Sequence, residues 1–210
     1  MMASAIIHIA VASEVNKKLK HNNDEILIGS IAPDISKFLG QTKVKSHFLD
    51  DVDTNIPNIE KFLIKYNNKM YDDFVLGYFI HLYTDYLWFK YFIPEIYQND
   101  CITKLDGTIV KCDEDMLIRY IYNDYTNLNI KLLDEYHLDL KIFYNNPPKL
   151  SNIIQEIPME KIYLLLDQIS IIIENSKINK DLVFNIENIK VFIQTSTELI
   201  LSKLKELGKA

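Results

Sequence analysis

The sequence between residues 74 and 88 reads Phe74-Val75-Leu76-Gly77-Tyr78-Phe79-Ile80-His81-Leu82-Tyr83-Thr84-Asp85-Tyr86-Leu87-Trp88. His81 and Asp85 are four positions apart in this apolar run, so a helix would place them on one face, one turn from each other. Gly77 lies a turn earlier on that face, where it leaves room for another group to approach the backbone at some cost in helix stability. The stretch therefore predicts a central helix, over about residues 71–91, that carries a polar site.

The same region also has the length and apolar content of a membrane span, from Phe74 to Ile93. It contains His81, Asp85 and Lys90, however, and such side chains are costly to place in lipid. A buried helix in a protein core is the better interpretation. We expect this helix to end at Pro94, because proline disrupts a helix interior.

The rest of the chain shows mostly helical patterns. Its 210 residues include only 5 Gly and 6 Pro, which favours long regular elements over many turns. Further helices are predicted at about residues 3–20, 24–31, 57–66, 113–136, 159–174 and 181–207, with a short one after Ser151. Pro57 is expected in a first helical turn, where proline is tolerated. We predict one all-α domain over residues 1–210, a multi-helix bundle whose C-terminal helices occupy residues 150–210.

One small β-hairpin is predicted over residues 101–112. Asp106-Gly107 lies between two short β-prone runs, which is the strongest local hairpin signal. With these two residues as the turn, Cys101 would lie opposite Cys112. The two cysteines could then pair, although two free thiols are the expectation for a cytoplasmic protein.

The composition is that of an ordinary globular protein, with 48% apolar and 25% charged residues. The formal net charge is −6, and Lys and Arg residues are scattered. No basic stripe is present that could neutralise a nucleic-acid backbone, so double-stranded DNA or RNA is not an expected partner. The apolar stretch Ala5–Ala12 is short and follows no positive charge. We therefore expect no signal peptide and a cytoplasmic location.

Three more polar residues occur in unusual places. His8 lies within the apolar stretch near the start of the chain, Asp34 directly follows Pro33, and His47 precedes Phe48. Each has an ordinary structural interpretation: His8 as a hydrogen-bonded core residue, Asp34 as a helix cap, and His47 as a surface residue. The pair at positions 81 and 85 could similarly be a hydrogen bond that closes a core position.

A metal site explains all five residues together. An ionised aspartate in apolar surroundings is costly unless it is paired or bound to a metal. Three imidazoles and two carboxylates form a nitrogen and oxygen donor set that suits Zn²⁺, and also Fe, Mn, Co or Ni. If the five side chains converge, they would bind a metal with an open position for water.

Four pieces of the sequence are also arranged in a recognisable order. They are Ile7-His8-Ile9-Ala10, Gly29-Ser30-Ile31-Ala32-Pro33-Asp34, Ser46-His47-Phe48 and the run from Gly77 to Trp88. In this order they resemble the zinc-dependent phospholipase C family, which is all-helical and related in fold to the S1/P1 nucleases. The resemblance covers about residues 3–90, within the half of the chain (residues 1–92) that carries the predicted metal site.

The resemblance implies that Asp34, His47, His81 and Asp85 hold one metal ion, and that His8 holds a second ion with Asp85 as the bridge. The chain departs from the family in two ways. It lacks the N-terminal tryptophan that binds a metal in secreted members, and it lacks their later set of histidines with a His-x-x-x-Glu motif. One zinc ion, or two, is therefore the expectation rather than a full three-metal cluster.

The predicted function is metal-assisted hydrolysis of a phosphoester, either a small molecule or a phospholipid headgroup. Asp34 is the candidate general base. The weaker candidates for substrate binding are Lys43, Lys45, Tyr78 and Trp88, of which the two aromatic residues could equally fill the core. A non-catalytic helical binding or regulatory protein with a degenerate metal site is the alternative. An HD-type phosphohydrolase ranks lower, because no histidine here is followed directly by aspartate.

Overall fold

The computed structural model describes residues 3–21, 23–174 and 179–210, which are predominantly helical. The helices are α1 (Ala5–Leu19), α2 (Asp24–Gly29), α3 (Ile35–Phe38), α4 (Ile59–Tyr66), α5 (Asp73–Leu87), α6 (Ile93–Ile96), α7 (Glu114–Tyr136), α8 (Ile162–Glu174) and α9 (Ile186–Glu206). Three short strands, β1 (Tyr97–Gln98), β2 (Cys101–Thr103) and β3 (Ile109–Lys111), form a small antiparallel sheet. The predicted combination of a helical protein and a small β element is confirmed.

Polar side chains determine where several helices begin. Ser4 caps α1 and Asp72 caps α5, and each accepts a hydrogen bond from the backbone N–H three residues later. Asn58 caps α4 in the same way, so this helix begins at Ile59. Pro57 therefore precedes the helix instead of lying in its first turn, which corrects the sequence-based expectation.

The central helix continues past Pro94. A single π-helical turn, Trp88–Phe92, follows α5 directly, and α6 then begins with Pro94 in its first turn. The N–H of Ile93 bonds to the carbonyl of Trp88, five residues earlier. This wider turn makes room for the proline ring, which in a regular helix clashes with the carbonyl four residues before it. The prediction that Pro94 ends the helix is wrong for this reason.

α1 and α5 form the centre of the core. Residues 6–12 of α1 and residues 74–82 of α5 are all buried, and α7 and α9 pack against α1. α5 is 15 residues long. In the described part of the chain, no helix combines the length and hydropathy needed to cross a membrane.

Two glycines allow α2 and α5 to touch backbone to backbone. A Cβ atom on Gly77 would lie 2.1 Å from the carbonyl oxygen of Ile26, and one on Gly29 would lie 2.3 Å from the carbonyl oxygen of Phe74. The group that approaches Gly77, as the sequence suggested, is therefore the backbone of α2. This contact brings the end of α2 beside the polar residues of α5.

The hairpin has a different register from the predicted one. Cys101 pairs with Lys111, and the turn contains three residues, Leu105–Gly107, with Gly107 at φ +82°. Neighbouring residues of a strand point to opposite faces, so the side chains of Cys101 and Cys112 lie on opposite sides of the sheet. Both cysteines are free. β1, which the sequence analysis did not predict, adds a third strand.

The C-terminal region contains less helix than predicted. The short helix predicted directly after Ser151 does not form, because residues 151–158 are not helical, and α9 starts later than expected, at Ile186. Before α9, the backbone N–H groups of residues 182–184 donate to the buried carboxylate of Asp124, which holds them in a loop. Residues 175–178, which fall between the two long predicted C-terminal helices, lie outside the described residues.

Candidate metal centre

The structure brings the five predicted polar residues together from separate parts of the chain. His8 lies on α1, Asp34 ends a short 3-10 turn before α3, and His47 lies in the turn after α3. His81 and Asp85 lie on α5, one turn apart. Their exposed fractions range from 0% to 7%, so the cluster forms inside the protein.

His81 lies at the centre of this cluster. Its Nε2 atom is 3.2 Å from Nε2 of His47 and 3.6 Å from Oδ2 of Asp85. Nε2 of His47 is also 3.4 Å from Oδ1 of Asp34. The potential ligands form two overlapping sets, Asp34–His47–His81 and His8–His81–Asp85, and within each set the ligand atoms lie within 4.8 Å of one another.

Hydrogen bonds to neighbouring groups determine the orientation of two imidazoles. Nδ1 of His81 lies 2.7 Å from the carbonyl oxygen of Ser30, which can only accept a hydrogen bond. Nδ1 of His47 lies 2.9 Å from Oγ of Ser46, and this hydroxyl donates to Oγ of Ser36. Nδ1 of His81 therefore carries the hydrogen, and Nδ1 of His47 carries it in the tautomer that donates to Ser46. In their neutral forms, the two rings direct unprotonated Nε2 atoms at each other.

Two unprotonated nitrogens at 3.2 Å repel each other unless a cation, either a proton on Nε2 of His81 or a metal ion, lies between them. Zinc–nitrogen bonds of about 2.0–2.1 Å in a tetrahedral site place two such nitrogens about 3.3 Å apart. A backbone carbonyl that accepts from Nδ1, as Ser30 does for His81, is a typical outer partner of a metal-binding histidine. Oδ1 of Asp34 is buried and has no hydrogen-bond partner. The donor atoms therefore fit a metal ion.

His8 packs on the ring of His81. The two rings are stacked, with centroids 3.9 Å apart and an angle of 13° between their planes. Nε2 of His8 lies 3.3 Å from Oδ1 of Asp85, and the backbone N–H of Ala3 donates to the same oxygen at 3.3 Å. Neither ring nitrogen of His8 makes a well-formed hydrogen bond to the described residues. His8 thus places a nitrogen donor beside Asp85.

The ordinary structural interpretations do not account for this arrangement. Asp34 makes no capping hydrogen bond to α3, and His47 is buried rather than on the surface. The distance of 3.6 Å between Nε2 of His81 and Oδ2 of Asp85 is too long for a hydrogen bond. In an ordinary core hydrogen-bond network, these buried polar side chains would lie within hydrogen-bond distance of their partners.

Burial and charge act against each other in the cluster. Burial lowers the pKa of His8 and of His47 below the usual histidine value. Burial also opposes the charged form of His81, but Asp85 and Asp34 outweigh it and raise the pKa of His81. Burial likewise disfavours the ionised carboxylates, but the adjacent imidazoles outweigh it and hold the pKa of both Asp34 and Asp85 below the usual value. Both carboxylates are therefore ionised at neutral pH.

We expect zinc affinity to increase with pH until the pH exceeds the raised pKa of His81. Below that pKa, zinc must displace one proton from His81, so its apparent affinity should fall about tenfold per pH unit. His8 and His47 do not add to this slope near neutrality, because their pKa values are lowered. Competition with a chromophoric chelator between about pH 6 and pH 8 measures the slope.

A flat profile in that titration would contradict a role for His81 as a ligand.

The stability of the metal-free protein should show the opposite dependence on pH. A raised pKa in the folded state means that His81 contributes stability below its reference value of 6.5, and that this contribution is lost as the pH rises through the folded-state pKa. Thermal melts in the presence of a chelator would detect it.

A cleft of about 320 Å³ opens beside the cluster, and Asp34 forms part of its wall. Its other walls come from the start of α1, from α3, from one face of α7 and from α8. This volume is at the lower end of the range for small-molecule sites. Besides Asp34, the charged, aromatic and Asn side chains of these walls are Lys37, Phe38, Tyr122, Tyr125 and Asn129.

The four residues proposed from the sequence for substrate binding lie elsewhere. Lys45 lines a separate groove on the surface. Lys43 belongs to the turn that leads to His47, and the carbonyl of Lys43 accepts a hydrogen bond from the backbone N–H of His47 at 2.8 Å. Tyr78 is buried, and its hydroxyl donates to the carbonyl of Ser46 at 2.5 Å. Trp88 is buried among other aromatic rings.

The sequence analysis did not identify the residues of the cleft wall. Two signals were present. Lys37 follows Asp34 by three residues, which in a helical turn gives the same face. Tyr122, Tyr125 and Asn129 recur at helical spacing on α7, but only the packing of α7 against α1 shows which face meets the cluster.

Comparison of the chain with protein-family models, with curated proteins and with solved structures gave no significant match.

Proposed function

We propose that the protein is a metal-dependent phosphoester hydrolase and a divergent relative of the zinc-dependent phospholipase C family. The observation that carries this proposal is the pair of Nε2 atoms of His47 and His81, opposed at 3.2 Å beside two ionised carboxylates. Asp34, alone among the five residues of the cluster, lines the adjacent cleft, which could hold a small molecule. The order of the four sequence pieces supports the family assignment.

Asp34, His47, His81 and Asp85 are the proposed ligands of one ion. Zinc is the expected metal, and the same nitrogen and oxygen donors also suit Fe, Mn, Co or Ni. His81 belongs to both potential sets, but its Nδ1 is engaged by Ser30, so only its Nε2 is free to bind an ion. One ion is therefore favoured over two, with His8 beside it as a partner of Asp85.

When bound, such a metal lowers the pKa of water and polarises a phosphoryl oxygen. The residues of the chain supply the remaining functions. Asp34 is ionised and lies in the cleft wall, so the carboxylate oxygen that does not bind the metal would accept the proton of the attacking water. Ser30 and Ser46 hold the imidazoles in the orientation that directs Nε2 inwards.

The cleft favours a compact substrate. A volume of about 320 Å³ accommodates a small phosphoester or the headgroup of a phospholipid, but not long acyl chains as well. The partner that we propose is therefore a phosphoester small molecule or a lipid headgroup.

Asp34→Asn is expected to lower the rate of phosphodiester hydrolysis by about 10²–10⁴-fold at saturating zinc, because an amide does not accept the proton of water. Turnover of bis(p-nitrophenyl) phosphate, compared with the corresponding monoester, measures the effect and defines the reaction class.

Asp50→Asn is a suitable control for this experiment, because Asp50 is an exposed carboxylate that pairs with Lys61. It should leave the rate unchanged. Wild-type turnover in Asp34→Asn would contradict the assignment of the general base, and zinc-loaded wild-type protein without any turnover would contradict the hydrolase.

A metal-containing binding protein is the second candidate. The histidine that follows α5 in the sequence is His137, which caps the C-terminal end of α7 in a left-handed conformation and is exposed. It does not belong to the cluster, so the later metal-binding set of the family has no counterpart among the described residues. Bound zinc without hydrolysis of either ester would favour this function.

A further inference from the structure

Lys37 lies at the cleft, close to the metal cluster in the fold. It follows Asp34 by three residues in consecutive helical turns, so both side chains are on the same side of this segment. Both line the cleft, where Asp34 supplies the negative charge and Lys37 the positive charge among the described residues. Lys37 is exposed, so its ammonium group is accessible from solvent.

Tyr122 on α7 contacts this ammonium group at the cleft. Nζ of Lys37 lies 3.5 Å from the hydroxyl of Tyr122 and 5.7 Å from the centre of its ring. Both contacts are weak at these distances, but together they favour positions of the lysine over the cleft. The hydroxyl leaves the other hydrogens of the ammonium group available for a ligand.

The positive charge of Lys37 is the feature that would attract an anionic ligand to the cleft. Among the described residues that line the cleft, Asp34 carries the acidic side chain and Lys37 the basic one, and Asp34 is a proposed ligand of the metal. An anion that enters the cleft would therefore meet the ammonium group of Lys37 as the cationic side chain of its wall. Asp34, which belongs to both the cluster and the cleft wall, marks the side of the cleft at which such a ligand would react.

We propose that Lys37 binds the phosphate group of the substrate and that Tyr122 is its positioning residue. This inference rests on the proposed function and assigns the anion-binding part of the same site. It replaces Lys43 and Lys45, the lysines suggested by the sequence. The ligand is a phosphate-bearing anion whose organic part contacts Phe38 and Tyr125, the aromatic side chains of the cleft.

The test is a calorimetric titration of the zinc-loaded protein, and separately of the metal-free protein, with inorganic phosphate. Lys37→Met keeps the apolar stem and removes the charge, and we expect it to weaken phosphate binding about tenfold. Lys45→Met is the matched control, because Lys45 lies on a different groove, and it should have no effect. Lys37→Arg keeps the charge and should bind within about threefold of wild type.

Tyr122→Phe keeps the ring and removes the hydroxyl that contacts Lys37. We expect about threefold weaker phosphate binding with an unchanged melting temperature, because the ammonium group is then held only by the ring. Phosphate affinity equal to wild type in Lys37→Met would overturn the proposal, and so would equal weakening in Lys45→Met or an absence of phosphate binding in wild-type protein. Metal content, measured in parallel, tests the proposed function independently of these outcomes.

Discussion

His81→Ala is expected to abolish stable metal binding. The residue belongs to both potential ligand sets, and its Nε2 is the donor closest to His47. Four-ligand zinc sites bind with an apparent free energy of about 10–16 kcal/mol, so the loss of one ligand costs about 3 kcal/mol or more. That corresponds to an affinity at least about 100-fold lower. Elemental analysis of protein purified without chelators should show about one ion per chain in wild type and a small fraction of that in the variant.

His21→Ala provides the control for this experiment. His21 is exposed and pairs with Asp73 at the start of α5, outside the cluster. It should keep the wild-type metal content. Circular dichroism separates metal loss from unfolding, and His47→Ala should reproduce the loss of metal. Full metal content in a folded His81→Ala protein would contradict the proposed centre.

Gly77→Ala is expected to lower both stability and metal affinity. Its Cβ would lie 2.1 Å from the carbonyl oxygen of Ile26 and 2.9 Å from Cα of Gly29, so α2 would have to move away from α5. Such overpacking costs about 1–3 kcal/mol, and a clash with rigid backbone lies at the upper end. The gain in helix propensity offsets about 1 kcal/mol of this. A net loss of about 2 kcal/mol should lower the melting temperature by about 4–8 °C.

The same movement should also weaken zinc binding. Ser30 directly follows α2, and its carbonyl accepts from Nδ1 of His81, so a displaced α2 loosens this ligand. Loss of such an outer partner typically lowers metal affinity about 10–100-fold. Gly208→Ala is the control, since Gly208 has φ +68° but open space around its Cα. It introduces backbone strain without a clash, so zinc affinity should stay at the wild-type value. Unchanged stability and affinity in Gly77→Ala would show that α2 and α5 are not in this close contact.

Local features of the sequence were good guides where the relevant interaction is local. Periodicity placed His81 and Asp85 on one face of a buried helix, and a turn signal located the small hairpin. Both depend on residues only a few positions apart. The same kind of reasoning failed at Pro94, because a π turn allows the helical path to continue. It also failed for the hairpin register, where one extra turn residue moved Cys101 opposite Lys111.

By itself the sequence determined the helical class, the central helix and the five polar side chains that do not suit apolar surroundings. Only the tertiary structure decided that these side chains meet, because the meeting depends on α2 packing against α5 through Gly29 and Gly77. The tertiary structure likewise decided that Lys37, rather than Lys43 or Lys45, faces the cleft. The physical reason is that periodicity describes neighbours within one helix, whereas a site built from several segments depends on how closely their backbones approach.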